Sequence, residues 1–93
     1  MQIAVLTLDG FNELDSFVAA AILNRLRPRG WAAHITAPAA EVTSMNGVTV
    51  ARQKPIAFAA EADAVIIGSG IRTRDYAADP EFLDAIRLDP ARQ

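Results

Sequence analysis

Three short apolar runs constrain the fold of this chain more than any other feature. They are QIAVLTL at residues 2–8, WAAHIT at residues 31–36 and ADAVIIG at residues 62–68. The first run ends at Asp9-Gly10 and the second ends before Pro38. Apolar runs of this length, bounded by turn residues, are typical of buried strands and favour a parallel sheet.

The segment that follows the first run, FNELDSFVAAAILNRLRPRG, predicts a helix. Asn12 is a suitable N-cap, and Pro28 and Gly30 end the helix. Its apolar residues recur at helical spacing and form one stripe, which requires an apolar partner surface. The residues of this stripe are Leu14, Phe17, Val18, Ala21, Ile22 and Leu26.

The rest of the chain continues an alternation of strands and helices. Residues 41–51 predict two short extended segments around Asn46-Gly47, a dipeptide favoured in tight hairpin turns. Residues 55–61 predict a short helix, and Asp79-Pro80 predicts the start of a last helix. This order indicates an α/β fold with a parallel sheet. Residues 1–93 contain no linker or repeat, and we treat them as one unit.

Composition and charge exclude several classes of function. The net charge of −2, without a basic block, disfavours a nucleic-acid partner. The longest apolar run, FVAAAIL, is far shorter than the roughly 20 residues of a membrane span. The first residues, MQIAVLTLDG, do not resemble a signal peptide, which favours a cytoplasmic location. Neither common glycine-rich phosphate motif is present, and we expect no cofactor.

The chain contains no cysteine. This excludes disulfides, thiolate metal sites and a cysteine nucleophile within these residues. We expect no metal site.

Two loops follow predicted strands, DGFNELD after the first and GSGIRTR after the third. Because ligands of open parallel sheets bind beyond the carboxyl ends of the strands, both loops are expected to face one crevice. The first supplies Asp15, and the second supplies the N–H groups of Ser69 and Gly70. Glycines permit the positive φ angles that turn successive N–H groups inward. A carboxylate beside such donors makes two parts of a nucleophilic site.

Each of these features also has a purely structural interpretation. Asp15 in a first helical turn can simply complement the helix dipole. Gly68-Ser69-Gly70 can be an ordinary turn after a strand. Ser69 is not accompanied by a sequence pattern that would supply a base to activate its hydroxyl.

The arrangement of IAVLTLDGFNELD, SMNGVTV, ADAVIIGSG and DPEFLDAIR resembles the ThiJ/PfpI superfamily. This class I glutamine-amidotransferase-like group includes isocyanide hydratase, and the resemblance is nearest to isocyanide hydratase-like members. It implies a flavodoxin-like parallel-sheet sandwich. It covers nearly all 93 residues, but only about the N-terminal half of a domain of that family.

The resemblance also implies roles for individual residues. In that family, the acid that ends an F-x-x-L-D pattern contacts the catalytic cysteine, and Asp15 occupies this position. The family's Pro-Gly-Gly, which contributes N–H groups to an oxyanion site, is replaced by Gly68-Ser69-Gly70. The family's cysteine lies in a later turn. A segment beyond this chain, or a second chain, is therefore expected to supply the nucleophile.

The function that the resemblance implies is a cysteine-dependent hydrolase or hydratase site for a small carbonyl-like or isocyanide substrate. Two alternatives stay open: a non-catalytic ligand-sensing domain of a transcriptional regulator, and a flavodoxin-like anion-binding module that uses GSGIRTR. We expect this chain alone to be inactive. We also expect self-association, or a second chain that completes the fold, because a parallel sheet is normally covered on both faces.

Overall fold

A four-stranded parallel sheet forms the centre of the computed structural model, which describes residues 1–93. The spatial order of its strands is β5-β2-β1-β6, and every neighbouring pair is parallel. The predicted α/β fold with a parallel sheet is therefore confirmed. The six strands are β1 (Gln2–Leu6), β2 (Ala32–Ala37), β3 (Glu41–Thr43), β4 (Thr49–Ala51), β5 (Lys54–Pro55) and β6 (Ala64–Ile67).

Helices cover both faces of this sheet. The four helices are α1 (Glu13–Leu23), which continues into a 3-10 turn, α2 (Phe58–Glu61), α3 (Thr73–Ala77) and α4 (Pro80–Ala85). The side chains of Asn12 and Asp79 cap α1 and α4, as their positions in the sequence predict. The sequence does not predict α3. No helix is of the length and apolarity that crossing a bilayer requires.

The alternation of side chains along β1 builds two apolar layers. Ile3 and Val5 point to one face of the sheet, where they pack with β2 residues against α1. Ala4 points to the other face, where it packs against Ala59 and Ala62 around α2. Because a strand in the middle of a parallel sheet is covered on both sides, its sequence is apolar at successive positions.

The face that α1 turns to the sheet differs from the predicted stripe. Ser16 is buried in α1, and Phe17, Ala20 and Leu23 pack on the core. Leu14, Val18 and Ile22 are exposed by 72%, 49% and 57%. Only Phe17 of the predicted stripe packs against the sheet. The stripe residues do recur at helical spacing, but α1 is apolar around most of its circumference. The spacing alone therefore does not identify the face that packs on the sheet.

The two edges of the sheet are unequal. On one side β5 pairs with β2 through only two residues, one of which is Pro55. On the other side β6 pairs with β1 over four residues and has no further neighbour. Ile67, the last residue of β6, is 58% exposed. The side of β6 away from β1 is thus an open strand edge.

The strands β3 and β4 form a separate antiparallel hairpin. Residues 44–48 connect them, so the loop is longer than the two-residue turn that Asn46-Gly47 favours. Gly47 has a φ of 84°, which suits glycine. The Asn46 side chain donates to the carboxylate of Glu13, at the start of α1. The hairpin is thereby held against the amino end of that helix.

Two residues of the last turn hold α2 in place. The Arg92 guanidinium donates to the carbonyl groups of Ala60 and Ala62. The Gln93 side chain donates to the carbonyl groups of Ala59 and Ala62. These bonds satisfy carbonyl groups at the carboxyl end of a helix that is only four residues long.

Candidate functional site at the carboxyl ends of the parallel strands

The loop after β1 and the loop after β6 lie side by side, at the carboxyl ends of the two strands. The Asn12 N–H donates to the carbonyl of Ser69 at 3.0 Å, and the Ile71 N–H donates to the carbonyl of Gly10 at 3.0 Å. These two bonds flank an isolated antiparallel bridge between Phe11 and Gly70. Because neighbouring parallel strands end on the same side of the sheet, the two loops meet at one crevice.

The Asp15 carboxylate closes the junction between these loops. Its Oδ2 atom accepts a hydrogen bond from the Ser69 N–H at 2.8 Å and another from the Ser69 hydroxyl at 2.5 Å. The Oδ1 atom has no hydrogen-bond partner in the structure. Of the three predicted site residues, Asp15 and Ser69 are therefore in direct contact. Gly70 follows Ser69 but does not bond to Asp15.

These contacts stabilise the ionised form of Asp15. The Ser69 hydroxyl has the largest effect and its N–H the second largest, and together they hold the pKa of Asp15 below its ordinary value. Partial desolvation acts in the opposite direction but is weaker. Asp15 also lies in the first turn of α1, where the helix dipole favours negative charge.

The glycines of this loop serve close packing rather than positive φ angles. Neither Gly68 nor Gly70 has a positive φ, so the expectation of inward-turned N–H groups through such angles is wrong. A Cβ atom on Gly68 would lie 2.8 Å from the Cβ of Asp15. A Cβ atom on Gly70 would lie 2.8 Å from the carbonyl oxygen of Gly10. Both positions need glycine because the other loop approaches so closely.

The two predicted N–H donors differ in availability. The Ser69 N–H is already occupied by Asp15. The Gly70 N–H has no acceptor. The two hydrogen bonds on either side of the Phe11–Gly70 bridge are donated by the N–H groups of Asn12 and Ile71 instead. In this type of antiparallel pair the N–H groups of the paired residues point away from each other. Of the two predicted donors, only the Gly70 N–H is therefore free.

Two residues that sequence reasoning did not single out complete the lining of the crevice. The Thr73 hydroxyl donates to the carbonyl of Gly70, and the Tyr76 hydroxyl accepts from the N–H of Asp9. Both residues belong to α3, whose five residues show no apolar periodicity that would have revealed it. Tyr76 is the only tyrosine of the chain, which is the one signal that could have drawn attention to it.

The crevice is small and continues into a larger apolar depression. Its volume is about 20 Å³, and its lining includes Asp9, Phe11, Ser69 and Gly70. Beside it lies a depression of about 160 Å³, lined mainly by apolar residues of β1, β6, α3 and α4. Leu6, Leu8, Gly68, Thr73 and Tyr76 line both spaces. Small-molecule sites are usually larger, about 300–1,000 Å³.

The structure contains no group of three or more histidine, aspartate or glutamate side chains close enough to hold a metal ion. The Arg72 guanidinium lies beside the second loop, but it pairs with Asp75 at 3.3 Å and lies over the ring of Tyr76. The site as it stands offers the Asp15 carboxylate, the Gly70 N–H group and an apolar depression.

Several solved structures share this architecture. A cysteine-to-alanine mutant of a DJ-1 superfamily protein from Salmonella typhimurium matches with a TM-score of 0.76 and 24% identity, over 91% of this chain and 47% of that one. The chain has the DJ-1/ThiJ/PfpI fold. A ThiJ/PfpI family protein from Pseudomonas syringae matches with a TM-score of 0.69 and 22% identity, over 90% of this chain and 35% of that one.

A proposed transcriptional regulator from Vibrio parahaemolyticus also has this fold, with a TM-score of 0.70 and 20% identity, over 94% of this chain and 49% of that one. The chain spans about half the length of these proteins or less. No family model matches the sequence, and no curated protein matches it significantly. At these identities the comparisons show the fold alone.

Ser69→Ala is expected to raise the pKa of Asp15 toward its ordinary value, because the Ser69 hydroxyl is the strongest stabilising contact of that carboxylate. An NMR titration of the Asp15 side-chain carbon measures this change. Thr73→Val removes a hydroxyl from the same site without touching Asp15, and it serves as the control. An Asp15 pKa that is the same in Ser69→Ala and in the parent chain would contradict the assignment.

The same contact makes a pH-dependent contribution to folding. Because the pKa of Asp15 is lower in the folded chain, the contribution is present above the unfolded-state pKa and is lost as the pH falls through the folded-state pKa. Ser69→Ala should therefore reduce the free energy of unfolding at neutral pH more than in strong acid.

Proposed function

We propose that these residues are the N-terminal half of a ThiJ/PfpI-type domain. They would contribute the acid and the oxyanion donor of a cysteine-dependent hydrolase or hydratase site for a small carbonyl-like or isocyanide substrate. The observation that supports this most is the position of the Asp15 carboxylate, held by Ser69 at the carboxyl end of the sheet with its Oδ1 atom unoccupied. The thiol would come from polypeptide outside these residues, since the chain has no cysteine.

Each group has a distinct role in this proposal. The Oδ1 atom of Asp15 accepts a hydrogen bond from a thiol placed against it, and so influences the orientation and protonation of the nucleophile. The Gly70 N–H donates to the oxyanion that forms when the thiolate adds to a carbonyl-like carbon. Loss of one such donor typically costs about 3 kcal/mol of transition-state stabilisation. Ser69 positions Asp15, because its N–H and hydroxyl are both bound to that carboxylate.

The open edge of β6 is the place where the rest of the domain would pair. A further parallel strand there would end on the same side of the sheet as Gly68-Ser69-Gly70. A cysteine in the turn after that strand would then lie near Asp15. The added strand and turn would also cover the apolar depression beside β6. The same edge favours association of the isolated chain, since unpaired N–H and C=O groups pair readily with another strand.

The chain alone is expected to show no isocyanide hydration, amide hydrolysis or deglycation. The reason is that these reactions, in this proposal, start from a thiolate that the chain does not contain. The measurement is turnover by the purified chain compared with a mock purification. A longer polypeptide that adds the cysteine-bearing half is the positive control. Turnover by the 93-residue chain above the mock sample would refute the proposed source of the nucleophile.

A ligand-sensing domain is the second candidate. It is favoured by the double contact of Ser69 with Asp15, which engages the carboxylate and keeps it ionised, and by the shared fold with a proposed transcriptional regulator. A sensing domain would be stabilised by a ligand without turning it over. Thermal unfolding of the longer polypeptide with candidate carbonyl compounds, followed by product analysis, separates the two candidates. A helix-turn-helix module in that polypeptide would also favour sensing.

The geometry supports an anion-binding module less than it supports either the catalytic or the ligand-sensing candidate. The Ser69 N–H that a phosphate would need is bound to a carboxylate, which repels anions. Arg72 is paired with Asp75. Stabilisation of the chain by inorganic phosphate beyond that given by chloride at equal ionic strength would reverse this assessment.

A further inference from the structure

Tyr76 is held in place by contacts to both its ring and its hydroxyl group. The ring packs on Phe82 with 4.9 Å between the ring centroids, and the Arg72 guanidinium lies over it at 5.9 Å from the centroid. The hydroxyl oxygen accepts the Asp9 N–H at 3.2 Å. These contacts fix a hydroxyl group of α3 against the first loop of the candidate site.

The hydroxyl proton of Tyr76 is not used by the fold. A tyrosine hydroxyl can accept one hydrogen bond and donate another at the same time. The Tyr76 oxygen accepts from Asp9, but no oxygen of the chain accepts its proton. The Thr73 hydroxyl, in the same helix, does donate to the chain, at the carbonyl of Gly70. Tyr76 therefore has one donor available for a ligand.

The space beside this hydroxyl is about the size of one oxygen atom. Tyr76 and Asp9 both line the small crevice, together with Gly70, whose N–H has no acceptor. The Asp9 carboxylate is engaged with the hairpin, where its Oδ1 atom accepts the Thr43 N–H. The crevice has a volume of about 20 Å³. One water molecule needs about 10–15 Å³. The crevice therefore fits a single acceptor oxygen, and the rest of a ligand lies outside it.

We propose that Tyr76 is a catalytic residue of the candidate site, whose hydroxyl donates to the carbonyl oxygen of the substrate and favours carbonyl compounds over isocyanides. This inference rests on the proposed function, because the thiolate comes from polypeptide outside these residues. When the thiolate sulfur bonds to the carbonyl carbon, the π electrons of the C=O bond move to the oxygen. The Tyr76 O–H and the Gly70 N–H then stabilise the charge on that oxygen.

An isocyanide does not use this arrangement. The reacting carbon is the terminal atom of R–N≡C, and the thiolate and a proton both add to that carbon, so no negative oxygen forms. The Tyr76 hydroxyl then has no charge to stabilise. A site with a fixed hydrogen-bond donor discriminates between substrates by the groups that pair with it. The Tyr76 hydroxyl therefore favours the carbonyl class.

Tyr76→Phe tests the donor in the longer polypeptide that adds the cysteine-bearing half. The substrates are 4-nitrophenyl isocyanide and the formanilide that its hydration yields, which differ only by the elements of water. We expect kcat for formanilide hydrolysis to fall by about 100-fold, the usual loss for one such donor, with KM nearly unchanged. Isocyanide hydration should stay nearly unchanged.

Arg72→Gln is the matched control, because it removes a contact of the Tyr76 ring and keeps the hydroxyl. It should change both rates by the same factor, since it disturbs the ring and not the donor. A purely structural role of the hydroxyl, as the acceptor for Asp9, would make Tyr76→Phe slow both reactions equally. That result, or unchanged formanilide hydrolysis, would overturn the proposal.

Binding to the 93-residue chain distinguishes a failure of this inference from a failure of the proposed function. Absence of thiol-dependent turnover of both substrates would count against the cysteine site, and formamide then probes the donor directly. In an NMR titration, formamide is expected to shift the Gly70 amide signal saturably in the parent chain and not in Tyr76→Phe. Equal shifts in the two chains, or no shift in either, would overturn the role of Tyr76 whatever the longer polypeptide does.

Discussion

Asp15→Asn is expected to slow the thiol-dependent reaction of the complete domain by about 100-fold or more, the usual range for a positioned acid or base. An asparagine oxygen can still accept the hydrogen bonds from Ser69, so the loops should stay joined. The amide then presents an NH₂ donor where the Oδ1 atom would accept the thiol proton. The variant keeps the geometry and removes the proton acceptor.

The pH dependence of kcat/KM is the measurement that identifies this role. Without the carboxylate to share its proton, the thiol should ionise differently, and the limb of the profile that reports its pKa should shift. Asp84→Asn removes an exposed carboxylate that pairs only with Arg87 and serves as the control. If Asp15→Asn leaves the profile unchanged, Asp15 serves only the helix dipole and the fold.

Phe11→Ala is expected to lower the free energy of unfolding by about 3–5 kcal/mol, the usual cost of deleting a buried aromatic ring. Phe11 is only 3% exposed and packs edge to face on Phe17, with 5.6 Å between the ring centroids. It shares its cluster with Ala37 and Val42, so its ring joins α1, β2 and the hairpin. Small domains have about 5–15 kcal/mol of stability in total, and the variant should be close to unfolding.

Urea unfolding of Phe11→Ala and of the parent chain measures this loss. Ile67→Ala, at a position that is 58% exposed, is the matched control and should change stability by less than about 1 kcal/mol. A similar effect of the two substitutions would mean that Phe11 does not anchor the first loop. Because Phe11 bridges to Gly70, the loss should also loosen the contact between the two loops.

The sequence was sufficient to predict three of the four strands of the sheet because the information is local, whereas β5, with two residues, was not predicted. The run at residues 2–8 is apolar at successive positions, as a strand covered on both faces requires, and it stops at a turn signal. The meeting of the two loops was also predictable, since parallel strands end on one side of the sheet. The sequence did not indicate that the Ser69 N–H donates to Asp15 while the Gly70 N–H stays without an acceptor. The contact of Asp15 with Ser69 joins positions 54 residues apart and depends on the backbone path.

The inner face of α1 illustrates a different limit. Periodicity locates an apolar stripe, but α1 has large apolar residues on two opposite sides, and Leu14, Val18 and Ile22 lie on the outer side. The inner side combines the large Phe17 and Leu23 with the small Ser16 and Ala20. Small side chains allow a helix to approach a sheet closely. A pattern of hydrophobic residues alone does not show which side of the helix has this close packing. The short α3 escapes prediction for a simpler reason, since five residues are too few to show a period.

The bonds from Arg92 and Gln93 to α2 have a consequence for the dynamics of the chain. A helix of four residues is too short to be stable by itself. Its carbonyl groups depend on side chains about thirty positions later, after β6, α3 and α4 have intervened. Opening of the last turn and fraying of α2 are therefore one event. Amide hydrogens of α2 should exchange with solvent together with those of residues 89–93, as one cooperative unit built from two distant parts of the chain.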